Sequence, residues 1–263
     1  MTKEEIINGS EAFLLDLDGT VYLSEIPIGN MIDTLRRLRR MGKRIVYLTN
    51  ASLQTEGEYR ERLKKIGLWE EGDYVYTSAT AARFCLLEKY AGERVYMFAN
   101  DSLKEQFRLA GVNVVEEDPS VCLLAYDTTA TFDKICKFNE FLQRGAVYIA
   151  THLDLVCPTK TLPRPDAGAF AALFRASSGR DPDLVCGKPG REMARLVSRD
   201  LCLPCDKMCM VGDRLYTDIR FGLVNGMKTV LVLSGEATRE NMKDYPDVPD
   251  LVLPTLNELL DFS

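Results

Sequence analysis

Residues 11–22 read Glu11-Ala12-Phe13-Leu14-Leu15-Asp16-Leu17-Asp18-Gly19-Thr20-Val21-Tyr22. A short apolar run with no helical period passes straight into two acids and a glycine. This predicts a buried strand over Glu11–Leu17 that feeds a loop. Asp16 and Asp18, two apart at the strand end, can point into one crevice if the chain turns there, and Gly19 supplies the freedom to turn. In α/β folds, ligands bind at the carboxyl ends of the strands. Two close carboxylates need a cation or a shared proton to coexist. Mg2+, which prefers oxygen ligands, meets that need.

Outward from this stretch, strand-like and helix-like segments alternate. Asn30–Met41 has helical spacing and ends at Gly42. Arg44–Thr49 reads as a second buried strand, Gln54–Ile66 as a helix and Tyr74–Ser78 as a strand. The rhythm returns near the end with a helix over Arg191–Asp200, a strand over Lys207–Gly212, a helix over Asp218–Asn225 and a strand over Lys228–Leu233. Such alternation predicts a parallel sheet covered by helices, an α/β fold. The middle has its own strands (Val95–Ala99, Val121–Tyr126, Val147–Ala150) and helices (Leu103–Ala110, Phe132–Arg144, Ala167–Ser177). The expected organisation is a discontinuous catalytic core, residues 1–81 and 180–263, with a large α/β domain inserted over 82–179. The turn-like Ser177-Ser178-Gly179 marks the return crossing.

Three further segments carry polar chemistry after an apolar strand. Thr49-Asn50-Ala51-Ser52 offers a hydroxyl and backbone N–H groups to phosphate oxygens. On its own it is also ordinary turn chemistry. Gly187-Lys188-Pro189-Gly190 sets a positive charge at a strand end. It is not a Walker loop, because Pro189 follows the lysine and the upstream glycine is missing. In Val211-Gly212-Asp213-Arg214-Leu215-Tyr216-Thr217-Asp218, two acids straddle a loop and a helix start. One can ligate a metal while the other braces it. Asp218 alone also reads as a first-turn acid favoured by the helix dipole.

Composition bounds the rest. The chain has 263 residues, a net charge of -6 and a pI near 5.1. Nucleic-acid binders show a basic patch and a high pI. Here the basic run Arg36, Arg37, Arg39 and Arg40 lies opposite Met31, Ile32, Leu35 and Leu38, and reads as a solvated helix face. Neither a signal peptide nor a run of about 18 apolar residues is seen, so no membrane partner and a cytoplasmic location are expected. Eight cysteines, mostly among apolar neighbours, read as reduced core residues. Cys202, Cys205 and Cys209 lack a fourth zinc ligand unless Cys186 supplies it. No cysteine is followed by an arginine six positions later, and His152 is the sole histidine. Cysteine phosphatases and histidine phosphatases are thereby set aside.

Taken together and in order, the four segments resemble the haloacid dehalogenase (HAD) superfamily. The stretches DGTVYL, TNAS, GKP, GDRLYTDI and GMKTVLVLSGE are most similar to its NagD-like, p-nitrophenyl-phosphatase-like branch. The resemblance implies a Rossmann-like core with an inserted cap, and a Mg2+-dependent phosphatase of small-molecule phosphate esters that also accepts p-nitrophenyl phosphate. It implies Asp16 as nucleophile and Asp18 as acid and base. Thr49 and Asn50 hold phosphate, and Lys188 neutralises charge. Asp16, Asp18 and Asp213 bind the metal, with Asp218 behind them. In the cap, Ala150-Thr151-His152-Leu153-Asp154 with Pro158 resembles the branch's specificity loop, which makes His152 and Asp154 candidate substrate contacts. Two departures bear on substrate identity: Ala51 and His152 each stand where the branch carries Asn. The branch also implies a homodimer through the cap. Nucleoside monophosphates, sugar phosphates and phosphoglycolate are all within its range of substrates. The competing reading is a non-catalytic phospho-ligand binder on the same fold.

Overall fold

A computed structural model describes residues 1–157 and 162–261. Pro158, linked above to the loop at 150–154, lies outside the described residues. The chain opens with α1 (Lys3–Gly9), β1 (Ala12–Leu15), the hairpin β2 (Tyr22–Leu23) and β3 (Ile26–Pro27), α2 (Met31–Arg40), β4 (Arg44–Thr49), α3 (Glu56–Lys65) and β5 (Tyr74–Thr77). The middle runs α4 (Ser78–Lys89), β6 (Val95–Phe98), α5 (Asp101–Leu109), β7 (Val121–Leu124), α6 (Phe132–Gln143) and β8 (Val147–Ala150), then β9 (Val156–Cys157), β10 (Arg164–Pro165), α7 (Ala167–Ser178) and β11 (Leu184–Val185). It closes with α8 (Arg191–Leu201), β12 (Met208–Gly212), α9 (Arg220–Val224), β13 (Lys228–Val232) and β14 (Leu251–Leu253). Two compact units result. The first holds Met1–Thr49, Thr55–Tyr76 and Ala194–Ser263, and the second holds Asn50–Gln54 and Thr77–Met193.

The first unit is an α/β layer built on a six-stranded sheet of order β14-β13-β12-β1-β4-β5. β1 pairs in parallel with both β4 and β12, and β13 pairs in parallel with β12 and β14. All four residues of β1 are buried, as a central parallel strand requires when both faces are covered. Strand order reverses between β1 and β12. That reversal is the switch point where doubly wound sheets open a crevice at the strand carboxyl ends. Leu15 sits opposite Val211, so the residues that follow each strand emerge side by side.

Helix α2 buries Met31, Leu35 and Leu38 as its spacing predicts. Its arginines are not a plain solvated face, however. Arg39 donates to both carboxylate oxygens of Asp73 at 3.1 and 2.6 Å and to the Leu68 carbonyl at 2.7 Å, and Arg37 donates to the Leu260 carbonyl at 3.1 Å. The guanidinium fork matches a carboxylate in two places, and it reaches partners distant in sequence that spacing cannot reveal.

The second unit centres on a four-stranded sheet of order β11-β8-β7-β6, parallel throughout. Phe138 of α6 lies at its centre. Its ring is 4.5 Å from Phe174, 5.5 Å from Tyr148 and 5.7 Å from Phe98 by centroid. The Tyr148 and Phe98 pairs are edge-to-face and the Phe174 pair is tilted, and such aromatic contacts add to plain area burial. Among the described residues no helix is long and apolar enough to cross a membrane. Cys209 is buried in β12, while Cys202 and Cys205 are more open, and all three are free thiols.

Removing the Phe138 ring should be among the most costly single changes in the second unit. Phe138→Ala is expected to destabilise it by about 3–5 kcal/mol. The loss should appear as a lower denaturant midpoint by circular dichroism.

Candidate active site

The first unit gathers carboxylates at the switch point. Asp16 follows β1 directly and keeps the sheet's pattern one step further, donating its N–H to the Val211 carbonyl at 2.9 Å. The chain then coils. The Leu17 carbonyl accepts from Thr20 and Val21 at 3.2 and 3.0 Å, and Gly19 adopts a φ of +89°. A side chain at Gly19 would meet the Asp213 carboxylate at 2.6 Å. Glycine is therefore required there both for the turn and for the close approach. Asp213 follows β12, and the next residues form a single π-helical turn, Leu215–Ile219. Such turns cluster at functional sites. This one carries Asp218, fully buried, whose carboxylate accepts the Arg214 N–H at 3.1 Å.

Asp16, Asp213 and Asp218 each offer a carboxylate oxygen, and these atoms all lie within 4.8 Å of one another. Asp213 and Asp218 are 3% and 0% exposed. Like charges this close in a dry setting repel strongly and require a compensating cation or proton. The donors are all oxygens, the set that suits a hard divalent ion. The loop after β13 braces the group. The Glu236 N–H donates to the Asp213 carboxylate at 2.7 Å, and the Ser234 hydroxyl donates to the Gly19 carbonyl at 2.7 Å. A Cβ at Gly235 would lie 2.0 Å from an Asp213 oxygen, so only glycine lets this loop close on the acid. Ser234, Gly235 and Glu236 stand inside the stretch GMKTVLVLSGE, whose residue pattern does not announce these bracing contacts.

Asp18 is not among these three acids, and its main chain bridges to Tyr22 at the start of the hairpin of β2 and β3. Partial loss of hydration, and then the Asp16 charge, raise its carboxyl above the usual carboxylate range. The Ser24 N–H and the guanidiniums of Arg214 and Arg62 pull the other way without prevailing. Arg62 of α3 also reaches Glu25 in the hairpin at 3.5 Å. Thr49 ends β4 and is 8% exposed.

Asn50 and Lys188 belong to the second unit. Lys188 is 2% exposed, and both its main-chain groups bond to the Asn50 side-chain amide, at 2.8 and 3.0 Å. His152 is 1% exposed. Its Nδ1 accepts the Asp154 N–H at 3.4 Å, and its Nε2 lies 3.5 Å from Asp166, whose carboxylate caps α7 by accepting the Ala167 N–H. The ring thus takes a bond from its own loop and lies beside the start of α7. Asp154 is partly buried, and its carboxylate accepts from Asn50 at 3.1 Å.

The chain is similar to known proteins over nearly its whole length. Residues 13–113 match the family model described as haloacid dehalogenase-like hydrolase, and residues 185–259 match a HAD-hydrolase-like model. The crystal structure of a 4-nitrophenylphosphatase from Thermotoga maritima is 36% identical and superposes with a TM-score of 0.90, over 97% of each chain. NagD from E. coli K-12 is 26% identical with a TM-score of 0.86, over 98% of each chain. Sugar-phosphatase AraL from Bacillus subtilis is 30% identical over 94% of this chain and 90% of its own. With two matched models framing the cluster of acids, the chain belongs to the haloacid dehalogenase-like hydrolases, in their NagD-like branch.

Proposed function

We propose that this enzyme hydrolyses small-molecule phosphate monoesters in two displacements through an aspartyl-phosphate on Asp16. The observation that carries the reading is the convergence of Asp16, Asp213 and Asp218 within 4.8 Å at the switch point. In the first displacement an Asp16 oxygen attacks phosphorus, the ester P–O bond breaks, and Asp18 gives its proton to the leaving oxygen. In the second, Asp18, now a carboxylate, takes a proton from water as the water oxygen attacks phosphorus. The P–O bond to Asp16 breaks, and inorganic phosphate leaves. Covalent catalysis by a carboxylate splits one hard displacement into two. A single residue can serve as acid and then base because the second step needs the form that the first step leaves.

Holding the phosphoryl oxygens falls to the Thr49 hydroxyl and the Asn50 N–H. Lys188 supplies positive charge to the phosphoryl group; that role rests on the resemblance of Gly187-Lys188-Pro189 to the family's third motif. Asp16, the Asp18 carbonyl and Asp213 would hold Mg2+, with Asp218 behind them. Bound there, the ion supplies charge neutralisation for the phosphoryl oxygens, a main lever of phosphoryl transfer. The natural ester is a small diffusible metabolite, drawn from nucleoside monophosphates, sugar phosphates, phosphoglycolate and similar compounds. The match to a sugar phosphatase and a 4-nitrophenylphosphatase supports that range.

Purified enzyme is expected to turn over p-nitrophenyl phosphate with Mg2+ and to stop in EDTA. Asp16→Asn, which keeps the shape, should lower kcat by at least about 10^4-fold. Folded, Mg2+-supplied protein that fails on this ester and on a panel of metabolite phosphates would overturn the reading in favour of a phospho-ligand binder. A second expectation needs no turnover. Mg2+ at 100 times its Kd should stabilise the protein by about 2.7 kcal/mol, read as a rise in Tm. Asp213→Asn should remove most of that rise.

A further inference from the structure

Asn50 is expected from its motif to meet phosphate through its backbone, yet its side chain is fully engaged elsewhere. Its Oδ1 accepts the Lys188 N–H at 2.8 Å. Its Nδ2 donates to the Lys188 carbonyl at 3.0 Å and to Asp154 Oδ1 at 3.1 Å. One acceptor and two donors are thus all used. Only one orientation of the amide fits, because a flipped group would set Oδ1 against two acceptors and the NH2 against a donor. The main chain of Asn50 is also tied down, its carbonyl accepting the Ser78 hydroxyl at 2.5 Å. The fit is close on the far side as well. A Cβ at Gly187 would lie 2.7 Å from Asn50 Oδ1 and 2.7 Å from the Thr151 carbonyl.

We infer that the Asn50 side chain is a positioning residue. It clamps the main chain of Lys188 at both its N–H and its carbonyl, and it couples that lysine to Asp154 on the loop at 150–154. Asn is the residue type the place demands. Ala offers nothing to the Lys188 N–H, the Lys188 carbonyl or the Asp154 carboxylate. Asp keeps the acceptor but sets a carboxylate against the Lys188 carbonyl and the Asp154 carboxylate. Buried polar groups left without partners are costly, and a partly satisfied network loses its geometry. The other end of the loop is equally restrained, with the Asp154 carbonyl accepting the Gly168 N–H at 2.9 Å and the His152 ring accepting the Asp154 N–H. Asp154 is therefore held from the loop side and from the Asn50 side at once. Fixing a charged group's main chain limits where its side chain can reach, and misplacement by about 1 Å can cost a hundredfold in rate.

The catalytic consequence rests on the phosphatase reading above, and the test separates the two. With p-nitrophenyl phosphate, Asn50→Ala should lower kcat by about 10- to 100-fold with a smaller change in KM. In a Lys188→Ala background the same substitution should have almost no further effect, because groups that act as a unit are not additive. Asn50→Asp, with the same shape, should behave alike and serves where Asn50→Ala folds poorly. Losses that multiply between Asn50 and Lys188 would overturn the positioning role. Should the wild-type enzyme fail to turn over any ester, amide hydrogen exchange decides the clamp alone. Exchange at the Lys188 N–H should accelerate at least about tenfold in Asn50→Ala while that at Cys186, bonded to the Ala150 carbonyl, stays unchanged. Equal protection of Lys188 in wild type and variant would refute it.

Discussion

Three carboxylates that repel one another must be kept within 4.8 Å, and much of the first unit follows from that constraint. An isolated pair of buried acids would take up a proton or move apart. Here the backbone forbids separation. Asp16 is locked by the pairing of β1 with β12, and Asp213 by two bonds from the loop after β13, one to its carboxylate and one to its carbonyl from the Ala237 N–H. Asp218 is locked by the π-helical turn and its bond from Arg214. Glycines stand where a side chain would collide with the acids. Holding charged groups in place before the ligand arrives is the preorganisation on which electrostatic catalysis depends.

The same logic recurs in the second unit with neutral groups. One side-chain amide satisfies both main-chain groups of Lys188 and one carboxylate oxygen of Asp154. A histidine placed between Asp154 and Asp166 orders the loop on its other flank. The Asn50 amide is tolerated in this buried setting because its oxygen and both its N–H groups are in use. The aromatic cluster around Phe138 supplies the apolar half of that unit.

Legibility in the sequence followed the length scale of the cause. The strand before Asp16 can be read because a central parallel strand has to be apolar throughout, and the two acids stand out because they break that run. Helix α4 carries no such signal. Its buried set, Ser78, Ala79, Ala81, Ala82, Cys85 and Leu86, is small and lies on more than one face, so no amphipathic period announces it. The short hairpin of β2 and β3 is too brief for any periodicity. Spacing alone marks Arg39 as a solvated residue, because its partner Asp73 lies 34 residues away. The Asn50 amide gave no signal either, with its lysine 138 residues distant. Local residue choice announces strands and the acids that follow them. Contacts that close over long stretches of chain become visible only once the fold brings them together.

The central claim is that phosphoryl transfer proceeds by way of Asp16, in two displacements rather than one. Each in-line displacement inverts the configuration at phosphorus, so their number can be counted. The most direct measurement is the stereochemical course of hydrolysis, using a phosphate ester made chiral at phosphorus with oxygen isotopes and reading the configuration after transfer to an acceptor alcohol. Net retention is predicted, the product of two inversions through an aspartyl-phosphate. Net inversion would mean that the acceptor attacks the ester directly, and would contradict the assignment of Asp16 as nucleophile.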